Sequence, residues 1–308
     1  MRFAILSRNK NLHSIRRLLQ EARTLGVECD IINPLDCQLV VDGRNSCVQV
    51  GNLILPRYDA ILPRIGASIT EYGLAVVRHF EATGSFVINP SSAIWESRDK
   101  MACLQKLSQA GLPVPASVLA RSPRGLRTAV QTVKGLPVVL KVIQGTQGVG
   151  VMLVHTAITL GSVLDTLRGL EQDVLMQQFM AEAGGRDYRA FVVGDRVVAA
   201  MMRTAPEGEF RSNIHRGGEG TLVKLPKSFL NLAVKATKTV GLRVAGVDII
   251  TGKADGKGKK AKLKPMVLEI NSSPGFEGIE KATGLNIAHE IVEYMAKEAQ
   301  KTKNRKRR

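Results

Sequence analysis

Apolar runs alternate with amphipathic stretches through the first 90 positions of the chain. Met1 to Ser7 reads as a strand, His13 to Leu25 has helical spacing, and Glu28 to Asn33 reads as a second strand. Asp59 to Ile65, Glu71 to Thr83 and Ser85 to Asn89 repeat the cycle. Strands alternating with helices predict βαβ units and a parallel sheet. The Pro90-Ser91-Ser92 turn, with Ser92 or a neighbour as N-cap, then opens a helix to about Ala110.

Beyond Pro115 the pattern changes. Pro137 to Ile143 and Gly150 to His155 are strand-like and joined by a glycine-rich loop, which predicts a hairpin. A helix over Ile158 to Leu167 and a strand over Val174 to Phe179 follow. Asp187 to Val193 and Arg196 to Met202 form a second hairpin about Gly194-Asp195, and a helix runs from about Ser228 to Val240. Two short apolar strands, Arg243 to Ile250 and Met266 to Asn271, precede a terminal helix from Ile287 to Ala299. The pattern divides the chain into units at 1–90, 91–178 and 179–298, with a basic tail at 299–308, and the fold class is α/β (α+β).

The last two strands carry oxygen where apolar residues are due. Asp248 interrupts the first, and Glu269 and Asn271 interrupt the second. Residues two apart on a strand share a face, so Glu269 and Asn271 point the same way. Buried carboxylates need a cation or donors, and hard oxygen ligands suit Mg²⁺ rather than zinc. Solvated strand ends, or pairing with Lys and Arg, explain the same residues equally well.

Charge alters the picture less than its size suggests. Of the net +17, Lys253 to Lys264 carries +5 and Lys297 to Arg308 carries +6, leaving +6 for the other 284 residues. Both segments read as mobile, either solvated or drawn to an acidic partner such as ribosomal RNA. With 44% hydrophobic residues and no apolar run of spanning length, the 308-residue chain is expected to be soluble and cytoplasmic, without membrane insertion. Cys29, Cys37, Cys47 and Cys103 lack C-x-x-C spacing and read as free thiols.

Gly145-Thr-Gln-Gly-Val-Gly150 is a candidate phosphate cradle, although a ligand-free glycine hairpin turn is as common. Lys141 lies mid-strand just before it, where an anion or a snorkelling edge position accounts for the ammonium. Arg211 to Gly218 gathers donors and glycines as a lid over phosphates would, with His215 at best an orienting donor. No nucleophile elbow or H-E-x-x-H motif occurs, which points away from covalent and zinc mechanisms.

The order of these motifs resembles the ATP-grasp superfamily. Phe3-Ala-Ile-Leu-Ser-Arg8, Pro63-Arg-Ile-Gly66, Arg98-Asp-Lys100, Gly145-Thr-Gln-Gly148, Phe210-Arg-Ser-Asn213, His215-Arg-Gly-Gly218, Ala245-Gly-Val-Asp248, Glu269-Ile-Asn271, Ser273-Pro-Gly275 and Glu277-Gly-Ile-Glu-Lys281 are similar to the RimK-type glutamate ligases, from residue 1 to about 298. The resemblance implies an ATP-grasp fold with an N-terminal parallel-sheet pre-ATP-grasp domain. It further implies ATP-dependent addition of L-glutamate to the C-terminus of a small-subunit ribosomal protein through an acyl phosphate.

By the same resemblance, Lys100, Lys141 and the loop of Gly145 and Gly148 hold ATP phosphates, Gln178 and Phe179 line the adenine hinge, and Asp187 takes the ribose. Arg211, Ser212 and Asn213 take the triphosphate. Asp248, Glu269 and Asn271 carry two Mg²⁺ or Mn²⁺ ions, and Arg211 and Asn271 are the implied catalytic groups. Arg64, Arg203 and Arg216 are candidates for a substrate carboxylate on charge and position. A homo-oligomer, and ribosomal RNA contact through the basic loop and tail, are further implications.

The chain departs from the family pattern in the Lys253–Lys264 segment, an insertion between the two metal strands, in the tail ending Asn304-Arg-Lys-Arg-Arg308, and at position 178, which is Gln rather than Glu. A sister ligase with another acceptor, such as a carrier protein or a cofactor, remains an alternative. A non-catalytic RNA- or ribosome-binding protein is the alternative from another class.

Overall fold

The computed structural model describes residues 1–121, 124–143, 150–213, 217–255 and 262–306. It begins with the predicted parallel sheet. β1 (Arg2–Leu6) lies between β2 (Glu28–Ile32) and β6 (Ala60–Pro63), with Phe3 opposite Cys29 and Ala60. α1 (His13–Thr24) and α2 (Thr70–Ala82) cover it with Ile15, Leu18, Val77 and Phe80. Between β2 and β6 the chain adds a small antiparallel sheet, β3 (Cys37–Val40), β4 (Cys47–Val50) and β5 (Leu53–Ile54), which the periodicity did not predict. Its strands are too short to show a period. Ser85 to Asn89 is not a full strand, because only Val87 bridges to Ile61 before Pro90 removes the next donor.

The single helix expected from Ser92 to Ala110 is two helices. Asp99 takes an extended conformation between α3 (Ser91–Arg98) and α4 (Lys100–Gln109) and accepts hydrogen bonds from Met101 N and Ala102 N at 2.9 Å. It is therefore the N-cap of α4, a role in which Asp outcompetes helix continuation. β7 (Ser117–Ala120) and α5 (Leu126–Thr132) precede β8 (Val138–Val142) and β9 (Val151–Val154), which pair antiparallel as predicted. α6 (Ala157–Gly169) and β10 (Val174–Gln178) complete a sheet of order β7-β10-β8-β9.

The largest sheet has the order β13-β12-β11-β14-β15, from β11 (Arg186–Val193), β12 (Arg196–Thr204), β13 (Glu219–Leu222), β14 (Val244–Asp255) and β15 (Lys262–Asn271). One face carries Ala190, Val192, Val247 and Ile249 against Phe229, Leu232, Ala236 and Val240 of α7 (Lys227–Val240). The other face is apolar at one end, where Phe191 and Met201 meet α8 (Glu277–Thr283) and α9 (Ile287–Lys306), and polar at the other. That polar end becomes the site.

Two expectations about the basic segments are corrected. β14 and β15 run past Ile250 and start before Met266, so Lys253–Asp255 and Lys262–Lys264 are strand residues rather than loop, pairing Gly252 with Lys264 and Asp255 with Lys262. The tail is not free from residue 299, because α9 continues to Lys306. Lys, Arg, Gln and Glu are good helix formers, and Lys303 also reaches Asp59 at 2.8 Å, tying the helix to the N-terminal sheet. No described helix is long and apolar enough to cross a membrane, and the four cysteines are unpaired.

Candidate active site

Strand register assembles the polar face. Asp187 and Arg189 alternate on β11 and so share a face. Arg203 stands opposite Asp187 on β12, Asp248 opposite Arg189 on β14, Glu269 opposite Asp248 on β15, and Asn271 opposite Gly246. Directly opposed residues project from the same side of a sheet, so six polar side chains from four strands meet on one surface. The face shared by Glu269 and Asn271 thus continues across the sheet to Asp248.

Two arginines hold the buried carboxylates. Arg189 Nε and Nη2 donate to Asp248 Oδ1 and Oδ2, both at 2.7 Å. Arg203 donates through Nε to Asp187 Oδ1 at 2.7 Å and through Nη2 to Asp187 Oδ2, and the same Nη2 lies 3.0 Å from Asp248 Oδ2. Asp248 is 4% exposed and Arg203 2%. Burial alone would raise the Asp248 carboxyl, but the charges and hydrogen bonds of Arg189 and Arg203 outweigh it and hold it well below the usual carboxylate range. Arg189 was not among the sequence candidates, although Asp187-x-Arg189 on a strand is the signal that finds it.

Opposite this face stand β8 and β10. Between the two sheets lies a cleft, open to solvent at its mouth, lined by Lys141, Gln178, Phe179, Asp187, Arg203, Arg211, Ser212, Asn213, Asp248 and Glu269 among others. Lys141 Nζ donates to Gln177 Oε1 at 2.7 Å, and Gln177 Nε2 to Ser117 Oγ at 3.0 Å, so the ammonium is aimed along β10. Desolvation pulls the Lys141 ammonium down, and the Glu269 carboxylate partly restores it. Lys100 Nζ donates to Ile143 O at 2.8 Å and, with Lys141 and Glu269, lines an adjoining recess.

At the far wall, Arg211 donates to Glu209 through Nε at 3.1 Å and Nη2 at 2.6 Å, and its guanidinium lies 5.5 Å over Phe210. The hydrogen bond from Arg211 is the main reason the Glu209 carboxyl falls to about 2. Gly218 closes the loop that follows, its N–H donating to Asn213 O at 3.2 Å.

The structure leaves two described sequence candidates outside both recesses. Asn271 shares the sheet face but lines neither recess, and Arg64 follows β6 with its guanidinium 5.8 Å over Phe276. Gly145, Gly148 and Arg216 fall outside the described residues, as do His215 and residues 256–261 of the basic insertion.

The donor set fits a hard divalent cation. Asp248, Glu269 and Asn271 are all oxygen donors on one face, Glu269 is exposed toward the cleft, and a carboxylate in bidentate contact with Arg189 keeps a lone pair for a further partner. Among the described residues no three His, Cys, Asp or Glu side chains come together, so the Asn271 amide is needed to complete the set.

The chain matches two protein families in succession. Residues 1–94 match the RimK PreATP-grasp domain, and residues 97–295 match the RimK-like ATP-grasp domain. Its sequence is 47% identical over 307 residues to a probable alpha-L-glutamate ligase of Shewanella loihica, covering 100% of this chain and 99% of that one. It is 46% identical over 305 residues to a protein of the same description from Vibrio vulnificus, covering 99% and 98%. Among solved structures, ATP-grasp ligase PsnB complexed with minimal precursor, Mg and ADP superimposes with a TM-score of 0.73 at 20% identity, over 97% of this chain and 98% of that one. D-alanine--D-alanine ligase from Bacillus anthracis complexed with ATP superimposes at 0.69 with 16% identity, over 99% of each chain.

Proposed function

The chain belongs to the RimK-like ATP-grasp family, and from that premise we propose that it is an ATP-dependent alpha-L-glutamate ligase acting on the C-terminal carboxylate of a small-subunit ribosomal protein. The observation that carries the reading is the register-built face of Asp248, Glu269 and Asn271, of which Asp248 and Glu269 line one cleft together with Lys141. Relatives at 46–47% identity bearing the description alpha-L-glutamate ligase support the donor, and family resemblance supports the acceptor.

In this reading ATP is a substrate. Gln178 and Phe179 border the base and Asp187 the ribose. Lys100, Lys141, Arg211, Ser212 and Asn213, with the Gly145–Gly148 loop, surround the triphosphate. Asp248, Glu269 and Asn271 would hold Mg²⁺ or Mn²⁺, which supplies charge neutralisation to the phosphates. An acceptor carboxylate oxygen attacks the γ-phosphorus and ADP leaves. The glutamate amine then attacks the acyl carbon, the carbon–oxygen bond to phosphate breaks, phosphate departs and the nitrogen gives up its proton. Lys141 and Arg211 meet the growing negative charge with positions already set by Gln177 and Glu209.

Mass spectrometry after incubation with ATP, Mg²⁺, glutamate and the ribosomal acceptor tests the reading. Increments of one or more glutamyl units at the acceptor C-terminus are expected. Modification of a different acceptor alone would reassign the protein to a sister ligase.

A further inference from the structure

Arginines equipped to bind an anion differ in what they already hold. Arg203 is committed to Asp187 and Asp248, Arg189 to Asp248, and Arg98 donates to the carbonyls of Ile65 and Gly66. Arg64 is different. Among the described residues its guanidinium has no hydrogen bond and no ion pair, and its recorded contact is the face of Phe276 at 5.8 Å. Burial pushes it down to about 10, and no carboxylate offsets that. A half-buried guanidinium without a counter-ion stays available to an anion from outside.

Its surroundings add a second orphan. His13 Nδ1 is buried without a partner, and the His13 ring packs edge-on against the same Phe276 at 6.3 Å between centroids. Arg64 and His13 thus meet one aromatic ring, and among the described residues neither the guanidinium nor His13 Nδ1 has a hydrogen-bond partner. The place is the carboxyl edge of the parallel sheet, where open α/β folds receive ligands. It also adjoins the metal strands. Ser273 Oγ donates to Pro63 O at 3.2 Å, two residues beyond Asn271, and Pro274 packs on Gly246, the residue opposite Asn271.

We propose that Arg64, framed by His13 and Phe276, is the seat for a carboxylate of the incoming amino acid, an assignment that rests on the ligase reading above. The acceptor carboxylate is the reacting group, and a guanidinium clamped on both oxygens would occupy the lone pairs that must attack phosphorus. The phosphates have Lys100, Lys141 and Arg211. The incoming glutamate reacts through its amine and keeps both carboxylates, so it is the substrate with a permanent anion to anchor. Binding there holds the amine beside the end of β15.

Replacing glutamate by hydroxylamine separates the roles, because hydroxylamine captures an acyl phosphate as a hydroxamate without needing a carboxylate seat. Arg64→Gln is expected to raise the KM for glutamate roughly 10- to 100-fold, the range for loss of a charge-assisted pair, while hydroxamate formation from ATP and acceptor stays within about twofold of wild type. Arg64→Lys is expected to fall between the two. L-Glutamine and L-isoglutamine as donors identify which carboxylate is held, since the donor lacking it loses nothing further in the variant. An unchanged KM for glutamate, or a parallel fall of hydroxamate and glutamate ligation, would overturn the assignment. A wild-type protein that forms no hydroxamate with any acceptor while hydrolysing ATP would instead overturn the acyl-transfer reading beneath it.

Discussion

Asp248 and Glu269 face one another across two strands yet live under different constraints. Asp248 is buried between two guanidinium groups, whereas Glu269 is exposed toward the cleft and has no hydrogen bond or ion pair of its own among the described residues. Asp248→Asn should therefore cost about 3–5 kcal/mol, because it strands Arg189 and Arg203 as buried cations, and should also abolish ATP turnover. Glu269→Gln should leave stability within about 0.5 kcal/mol and lose turnover alone. Thermal melting beside an ATPase assay separates the two, and equal destabilisation would contradict the ion-pair geometry.

Glu209 supplies a pH test at the same scale. Its folded-state carboxyl is depressed from 4.5 to about 2, so the stabilisation it brings is present above the unfolded value and fades only as pH falls toward 2. The Arg211 contact is intact throughout the assay range. Glu209→Gln should raise the KM for ATP several-fold, as Arg211 loses its orienting partner, without moving the acid limb of the pH–rate profile.

At the scale of elements, pairing of alternating positions does most of the positioning. β11 alone brings Asp187 and Arg189 to the face, and its neighbours add their residues by register, so a slip of one position would turn the whole set into the α7 core. The loop after β12 depends on closeness rather than pairing. A Cβ on Gly218 would lie 2.4 Å from Ser212 O, a backbone atom with little room to yield. Gly218→Ala should displace Arg211 to Asn213 and raise the KM for ATP by roughly tenfold, with a stability loss of about 1–3 kcal/mol, read by nucleotide titration and melting. An unchanged KM would show that the loop takes its shape elsewhere.

At the scale of the whole molecule, Asn89 joins the N-terminal unit to the five-stranded sheet. Its amide donates to Val244 O at 2.7 Å and Ser272 O at 2.9 Å, and its carbonyl accepts from Arg243 N at 2.7 Å and Val244 N at 2.9 Å. Asn89→Ala leaves four backbone groups without partners and should lower stability by roughly 2–4 kcal/mol while loosening both metal strands. The basic segment joining those strands predicts a different signature. Deleting residues 256–261 should raise the KM for the acceptor a few-fold at low salt and not at high salt, since exposed charges are screened beyond a Debye length.

Hydrophobic periodicity by itself determined the parallel sheet of the first 63 residues, both hairpins, α7 and the shared face of Glu269 and Asn271, because period and burial are local consequences of side-chain order. Motif order pointed to the family, which spans the chain. Tertiary structure alone decided the rest. The cap at Asp99, the short β3–β5 sheet and the helical tail depend on competing hydrogen bonds and long-range packing that carry no period. The assignment of Arg189 and Arg203 to Asp248, against the isolation of Arg64, is decided by which strands lie side by side, and that adjacency is set by the fold's topology rather than by any neighbour in sequence.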